Sequence, residues 1–151
     1  MSERNSWLQD ESALRWNLLE DEPDACIVVS ERMELVYLNE AARRLVPADW
    51  FGKRCFEVLP TADKMCALHC PKIAAVSESS EVVYCEETTQ TDRDDGTYGV
   101  GLIPLGSARQ DEARAVFVLR RKDLNAREED FKARLVDDAG RVRSKIARAE
   151  S

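Results

Sequence analysis

Short β-branched segments at two places in the chain restrict its possible folds. Near the start, the apolar run CIVVS at residues 26–30 is followed by the polar turn ERME and a second run, LVYLN. From residue 81, EVVYCEETTQT is followed by DRDDGTYGVGLIPL, which contains the turn pair Asp95-Gly96. After a polar loop comes RAVFVLRRK. Runs of this length and composition, bounded by turn residues, are typical of β-hairpins. The pattern predicts five short antiparallel strands.

Helical segments flank and separate these strands. Ser6 with Gln9 suits a capping box for an N-terminal helix, and Asn39 suits the N-cap of a helix in NEAARRLV. A long C-terminal helix is predicted over 124–149, with a four-three-four-three spacing of Leu135, Ala139, Val142, Ile146 and Ala149. That spacing is typical of a coiled-coil seam. Because Gly140 within it costs about 1 kcal/mol relative to alanine, the helix is expected to need a partner.

Composition excludes several classes of protein. The 151 residues suit one domain, and no apolar run approaches the roughly 18–20 residues of a membrane span. The net charge of −7 disfavours nucleic acid or an anionic membrane as partner. The polar N-terminus and the odd number of cysteines, five, predict a cytoplasmic protein without a disulfide framework.

The order of these elements, together with several motifs, resembles a PAS domain, a sensor and dimerisation module of signalling proteins. The matching segments are DEPDACIVVSERMELVYLNEAARRLV and DDGTYGVGLIPL. NEAA at 39–42 resembles the N-x-A-A opening of the first core helix, and Gly52 stands where PAS domains commonly have glycine. VFVLRRKDLNAREED resembles the exit segment that leads into a signalling helix. The resemblance spans roughly residues 12–125.

This resemblance implies an α+β PAS fold. The expected architecture is a five-stranded antiparallel sheet with short helices on one face, flanked by N-terminal and C-terminal helices. The chain then divides into a cap helix (1–22), a PAS core (23–122) and a C-terminal signalling helix (123–151). Ser30 stands where many PAS domains have an aspartate. The glycine-to-cysteine spacing that ends at Cys55 matches flavin-binding relatives, but FEVLP lacks their arginine and glutamine, so no flavin is expected.

A cysteine-rich segment, GKRCFEVLPTADKMCALHCPKIAA at 52–75, contains three of the five cysteines and the single histidine. A subset of PAS domains in bacterial regulators is similar here, with a glycine, then CFEVL, then a C-x-x-x-C-P step. The resemblance implies that Cys55, Cys66 and Cys70 gather beside the PAS ligand pocket. It does not identify what they bind.

Local chemistry supports a reactive thiol at the end of this segment. Pro71 lacks an N–H and suits the first turn of a helix in PKIAAVSES, so Cys70 is expected near that helix's N-terminus. Unpaired amides and the helix dipole there lower a thiol's pKa and favour the thiolate. Metal ligation and redox chemistry both need a thiolate, and His69 or Cys85 could supply a fourth ligand.

Three interpretations of the cluster remain open. The cysteines pack as small apolar side chains, since free cysteine is among the most buried residue types. Alternatively, Cys55, Cys66 and Cys70 hold an iron–sulfur cluster or a metal ion, although such sites usually take four protein ligands. In the third interpretation, reversible oxidation pairs Cys66 with Cys70. Cys26, in an apolar strand, is predicted to pack.

Taken together, the sequence predicts a PAS sensor domain that is not an enzyme. No G-x-S-x-G motif or phosphate-binding glycine loop is present. Gly99 and Gly101 lie within a predicted strand, where they favour close backbone approach or a bulge over phosphate binding. We expect a homodimer that senses redox state, a metal or a small ligand and controls an effector domain, cut from this chain, or a partner signalling protein. The alternative is a cofactor-free PAS module for dimerisation or protein interaction.

Overall fold

Five antiparallel strands form one sheet, and the long C-terminal helix lies on one of its faces. The computed structural model describes residues 15–46, 48–54, 81–88, 97–105, 113–122 and 125–150. The elements are a 3₁₀ turn at Asn17–Leu19, β1 at Ala25–Ser30, β2 at Leu35–Leu38, α1 at Glu40–Arg43, β3 at Val83–Thr88, β4 at Thr97–Pro104, β5 at Ala113–Arg121 and α2 at Glu128–Glu150. The predicted α+β class and five strands are confirmed.

The strand order is β2-β1-β5-β4-β3, so β5 returns to pair with β1 in the middle of the sheet. Both predicted hairpins form: Val28 is opposite Tyr37 between β1 and β2, and Thr88 is opposite Thr97 between β3 and β4. Because side chains alternate along each strand, the register assigns every residue to one of two faces. We call the face that carries the helix the α2 face and the other the far face.

The helix α2 packs directly against two glycines of β4, Gly99 and Gly101, which we call the seat of α2. A β-carbon at Gly101 would lie 2.8 Å from the β-carbon of Ala139, and one at Gly99 would lie 2.6 Å from the ring of Phe131. The sequence-based expectation of close backbone approach at these glycines is therefore confirmed, and the element that approaches is α2. Only residues without side chains allow a helix to come this near to a strand.

The apolar stripe of α2 is buried within the chain. Its buried members are Phe131, Leu135, Ala139, Val142 and Ile146, and the helix lies against β4, β3 and the 3₁₀ turn. Ala149, the last residue of the predicted coiled-coil seam, is exposed. The partner that the stripe needs is thus the chain's own sheet, a packing that the heptad-like spacing by itself does not distinguish from a coiled coil.

The turn between β1 and β2 is organised by Ser30. Its hydroxyl oxygen accepts from the N–H of Arg32 at 3.2 Å and of Glu34 at 3.1 Å, and its carbonyl accepts from the N–H of Met33 at 2.9 Å. A hydroxyl therefore supplies the acceptor that a carboxylate would otherwise provide at this position. Met33 adopts a left-handed backbone with φ of 67°.

The helix α1 is shorter than the sequence predicts. It ends at Arg43, and the N–H of Leu45 bonds to the carbonyl of Ala42 in a turn. Val46 precedes a proline, a position that disfavours helix, so the last residue of the predicted helix is excluded for a local reason. Trp16 and Trp50 are both buried in the core. The predicted N-terminal capping box and the short helices expected between residues 55 and 80 lie outside the described residues.

Candidate functional site

The predicted cysteine cluster lies outside the described residues. This applies to Cys55, Cys66 and Cys70, and to His69 as a candidate fourth ligand. The other candidate, Cys85, is described: it lies in β3, is partly exposed, and is directly opposite Val100 of β4. The register places Cys85 on the far face of the sheet.

The far face is an apolar surface. Its largest aliphatic and aromatic side chains in the middle of the sheet are buried, and they include Ile27, Val29, Val100, Leu102, Phe117 and Leu119. Val100 stands between the two glycines that seat α2, so β4 contributes to both faces in direct alternation. Along β4, a residue of the far face is therefore directly followed by a residue that contacts α2.

Ion pairs fasten α2 to the sheet and to the segment before β1. Arg120, near the end of β5, donates from Nε to Asp24 at 2.9 Å and from Nη2 to the other oxygen of that carboxylate at 2.6 Å. The same Nη2 also donates to Asp138 of α2. The two hydrogen bonds to Asp24, with the one to Asp138, raise the pKa of Arg120. One guanidinium thus links three segments.

A second group of ion pairs is centred on Glu22, whose side chain is only 8% exposed. We call this group and the ion pairs of Arg120 the two ion-pair clamps. Its carboxylate accepts from Arg141 at 2.7 Å and from Lys145 at 3.5 Å, both on α2. The hydrogen bond from Arg141 lowers the pKa of Glu22 against the opposing effect of burial, and Lys145 adds to the lowering. A nearly buried carboxylate with two cations ties the docked helix to this segment.

We expect the docking of α2 to weaken in acid. Because the pKa of Glu22 is lowered in the folded state, its contribution is fully present above the ordinary value of 4.5 and is lost as pH falls through the folded-state pKa. Hydrogen exchange of α2 amides between pH 6 and roughly pH 3 measures this after correction for the intrinsic rate.

Two variants locate the effect. Glu22→Gln should remove much of the pH dependence of α2. The control Glu20→Gln removes another carboxylate of lowered pKa, one bonded chiefly to Arg43, and should leave the α2 profile unchanged. An unaltered profile in Glu22→Gln would assign the acid sensitivity to other groups.

Asn39 connects four segments from the centre of the protein and is fully buried. Its Oδ1 accepts from the N–H of Cys26 at 2.9 Å and, as N-cap of α1, from the N–H of Ala42 at 3.0 Å. Its Nδ2 donates to the carbonyls of Leu19, Glu22 and Asp24. The sequence predicted the cap alone; the three carbonyls are brought to Asn39 by tertiary folding.

The environment of Cys26 favours the protonated thiol over the thiolate. It is buried on the α2 face, and its thiol donates to the carbonyl of Asp24 at 3.6 Å. Burial, together with the nearby carboxylates of Glu22 and Asp24, raises the pKa of Cys26 to about 12. The predicted packing role is therefore supported, because a thiol with this pKa stays protonated at neutral pH.

Sequence reasoning missed the two ion-pair clamps. Asp24 and Arg120 are 96 residues apart in the chain, and Glu22 and Arg141 are 119 apart, so no local pattern joins them. The glycines at 99 and 101 did carry a signal, since two glycines on the same face of a strand indicate a close neighbour.

A family comparison identifies the fold. The sequence model described as "PAS fold" matches residues 19–127, which is most of the chain. The chain belongs to the PAS fold family. The NEAA motif at 39–42 of this PAS domain lies where the resemblance predicts it, at the start of a helix, because Asn39 is the N-cap of α1. No curated protein sequence matches the chain.

Solved structures share this fold at low sequence identity. The PAS domain of an HTR-like protein from Haloarcula marismortui is 16% identical, with a TM-score of 0.55 over 72% of this chain and 88% of that one. The PAS domain of Bordetella pertussis BvgS is also 16% identical, with a TM-score of 0.56 over 82% and 93%. Vibrio cholera VqmA, solved with ligand and DNA, is 20% identical with a TM-score of 0.56, but the match covers 70% of this chain and only 48% of VqmA.

Two further properties follow for the part of the chain that the structure describes. None of its helices is long and apolar enough to cross a membrane. Within the same ranges, no three His, Cys, Asp or Glu side chains are grouped so that they could hold a metal ion. The predicted metal or cluster ligands other than Cys85 are not among these residues.

Proposed function

We propose that this PAS domain is a cytoplasmic sensor of a signalling protein, in which a change at the cysteine cluster is relayed through α2. The family assignment supports a sensory role. The input is a redox change, a metal or iron–sulfur cluster, or a small ligand at Cys55, Cys66 and Cys70. Cys85 and His69 are the candidates for a fourth ligand.

The observation that carries the relay is the alternation in β4. Val100 belongs to the far face, opposite Cys85, while its neighbours Gly99 and Gly101 form the seat of α2. Packed interfaces tolerate little continuous deformation, so a small shift of β3 and β4 alters the fit of the helix. For this relay to act as a switch, the input must favour one of the two arrangements of β4 and α2 over the other.

The output in this proposal is a homodimer that controls an effector domain or a partner signalling protein. The stripe that includes Leu135, Ala139 and Val142 has the spacing of a coiled-coil seam, yet it is buried against the sheet. One stripe cannot be covered by the sheet and by a second copy at the same time. Docked and dimerised helices are therefore alternative states, and the ion pairs of Glu22 and Arg120 favour the docked one.

The decisive experiment is an anaerobic purification followed by an absorbance spectrum and metal analysis on one sample. We expect bound iron and sulfide, or zinc, that is lost when Cys55, Cys66 or Cys70 is changed to serine. The matched control is Cys26→Ala, which removes a packing thiol and should retain the bound group. A colourless, metal-free protein would leave thiol oxidation or a small ligand as the input.

A second measurement tests the relay. Hydrogen exchange of α2 and the oligomeric state are compared between the two input states, loaded against empty or reduced against oxidised. We expect faster exchange and more dimer in one of the two. If the triple serine variant responds as the wild type does, the cysteine-based sensor is wrong, and the cofactor-free interaction module takes its place.

A further inference from the structure

A basic depression of about 450 Å³ lies where β5 ends and α2 begins. Four arginines line it: Arg120 and Arg121 from β5, Arg127 from the connection, and Arg134 from the second turn of α2. Among the described residues of the lining, one is acidic, Asp130. This local excess of positive charge is contrary to the composition of the chain, whose net charge is −7.

The arginines of the depression differ in their partners. Arg120 is engaged by Asp24 and Asp138, as described above. Arg127 and Arg134 are both exposed, and neither forms an ion pair with any acidic group in the described ranges. By contrast, Arg43, Arg44 and Arg141 are all paired with carboxylates. The unpaired guanidinium groups of α2 and its approach are thus concentrated at one concave surface.

The spacing of these two arginines suits a shared ligand. Both line the same depression, Arg127 from the residue directly before α2 and Arg134 from the second turn of the helix. Long side chains from both positions can converge on a group between them. The planar fork of guanidinium donors matches the oxygens of phosphate and binds them with paired hydrogen bonds.

We propose that this depression binds a phosphate group, either as the free ion or as part of a small phosphate ester, between Arg127 and Arg134. Asp130 lies between the two arginines in the sequence and opposes the ligand by like-charge repulsion, which limits the affinity. Removal of this charge is therefore expected to increase the affinity. The ligand would lie between the end of β5 and the first turns of α2. It would stabilise the docked helix by mass action, and its binding does not depend on the cysteine cluster.

The experiment is calorimetric titration of the whole chain at constant ionic strength with inorganic phosphate and, separately, with glycerol 3-phosphate. Sodium chloride replaces the phosphate as control, since it screens charge without bridging the two arginines. Saturable binding of inorganic phosphate supports the free ion as ligand. Binding of the ester alone supports a phosphorylated small molecule.

Charge variants determine whether the binding belongs to this depression. R127Q and R134Q should each weaken binding about tenfold, as expected for loss of a charge-assisted contact, and D130N should strengthen it several-fold. The matched control R32Q removes an exposed arginine at the β1–β2 turn and should change the affinity less than twofold. Absence of saturable binding to either ligand would overturn the proposal, as would equal weakening in R32Q or weaker binding in D130N.

Discussion

Replacing Gly101 with valine is expected to lift α2 from the sheet. A β-carbon at this position would lie 2.8 Å from the β-carbon of Ala139, an atom attached directly to the helix backbone. No side-chain rotation relieves that contact, so the helix itself must move. Overpacking of this kind typically costs about 1–3 kcal/mol for small insertions, and a β-branched residue belongs at or above the upper end. Urea unfolding and hydrogen exchange of α2 amides measure the two effects.

Three further variants establish that the cause is the helix seat. Gly101→Ala should destabilise by about 1–2 kcal/mol, since the clash is partly offset by the lower conformational entropy of alanine in the unfolded chain. Combining it with Ala139→Gly should recover part of the loss beyond additivity, because the two changes involve one contact. Gly140→Ala, whose new β-carbon meets no other part of the described structure within 4 Å beyond the adjoining helix backbone, should instead stabilise by up to about 1 kcal/mol.

Gly99→Ala provides a contrast at the neighbouring contact. Its β-carbon would approach the ring of Phe131 at 2.6 Å and Leu135 at 2.9 Å, nominally a tighter fit than at Gly101. Those atoms are the ends of flexible side chains, so they can rotate away at modest cost. We expect a smaller loss of stability than in Gly101→Ala. A larger loss at Gly99 would mean that the side chains, and not the helix backbone, determine the seat.

Replacing Asn39 with alanine is expected to reduce the free energy of unfolding by about 3–5 kcal/mol. The change removes five hydrogen bonds made by a fully buried side chain. Each buried backbone group left without a partner costs about 1–3 kcal/mol, although some of the carbonyls retain another donor. The carbonyl of Leu19, for example, also accepts from the N–H of Glu22 at 3.1 Å. Urea denaturation monitored by tryptophan fluorescence reports the loss.

Two controls separate the roles of the amide. Asn17→Ala changes an exposed asparagine in the 3₁₀ turn and should alter stability by less than about 0.5 kcal/mol. Asn39→Asp preserves an acceptor for the N–H groups of Cys26 and Ala42 but replaces the donor to three carbonyls with negative charge. It should be at least as harmful as alanine at neutral pH. A mild effect of Asn39→Asp would show that the cap matters and the three-carbonyl contact does not.

The Asn39 result bears on the proposed relay. The carbonyls of Glu22 and Asp24 accept from Asn39, while the carboxylates of the same two residues accept from Arg141 and Arg120. The segment before β1 is therefore held to the core by its backbone, to α2 by the side chain of Glu22 and to β5 by the side chain of Asp24. Loss of Asn39 should weaken the docking of α2 in addition to the sheet, which exchange of α2 amides would detect.

Much of the fold was predictable because its determinants are local. The strand pairs were visible in the β-branched runs and in Asp95-Gly96, and the stripe of α2 in the spacing of its apolar residues. Asn39 was visible as a cap because a cap bonds to an N–H only three residues away. Even the close approach at Gly99 and Gly101 was indicated by residue type alone. These features depend on neighbours in the chain, and neighbours are what a sequence displays.

Tertiary structure decided which surface each pattern meets. The spacing of Leu135, Ala139 and Val142 is equally compatible with a second helix and with a sheet, and the folded chain selects the sheet because Gly99 and Gly101 let the helix approach. The clamps that join Asp24 to Arg120 and Glu22 to Arg141 depend on contacts across 96 and 119 residues. Burial of Cys26 beside two carboxylates, which keeps its thiol protonated, is likewise a property of the assembled core. Such pairings depend on global topology, which no local sequence pattern contains.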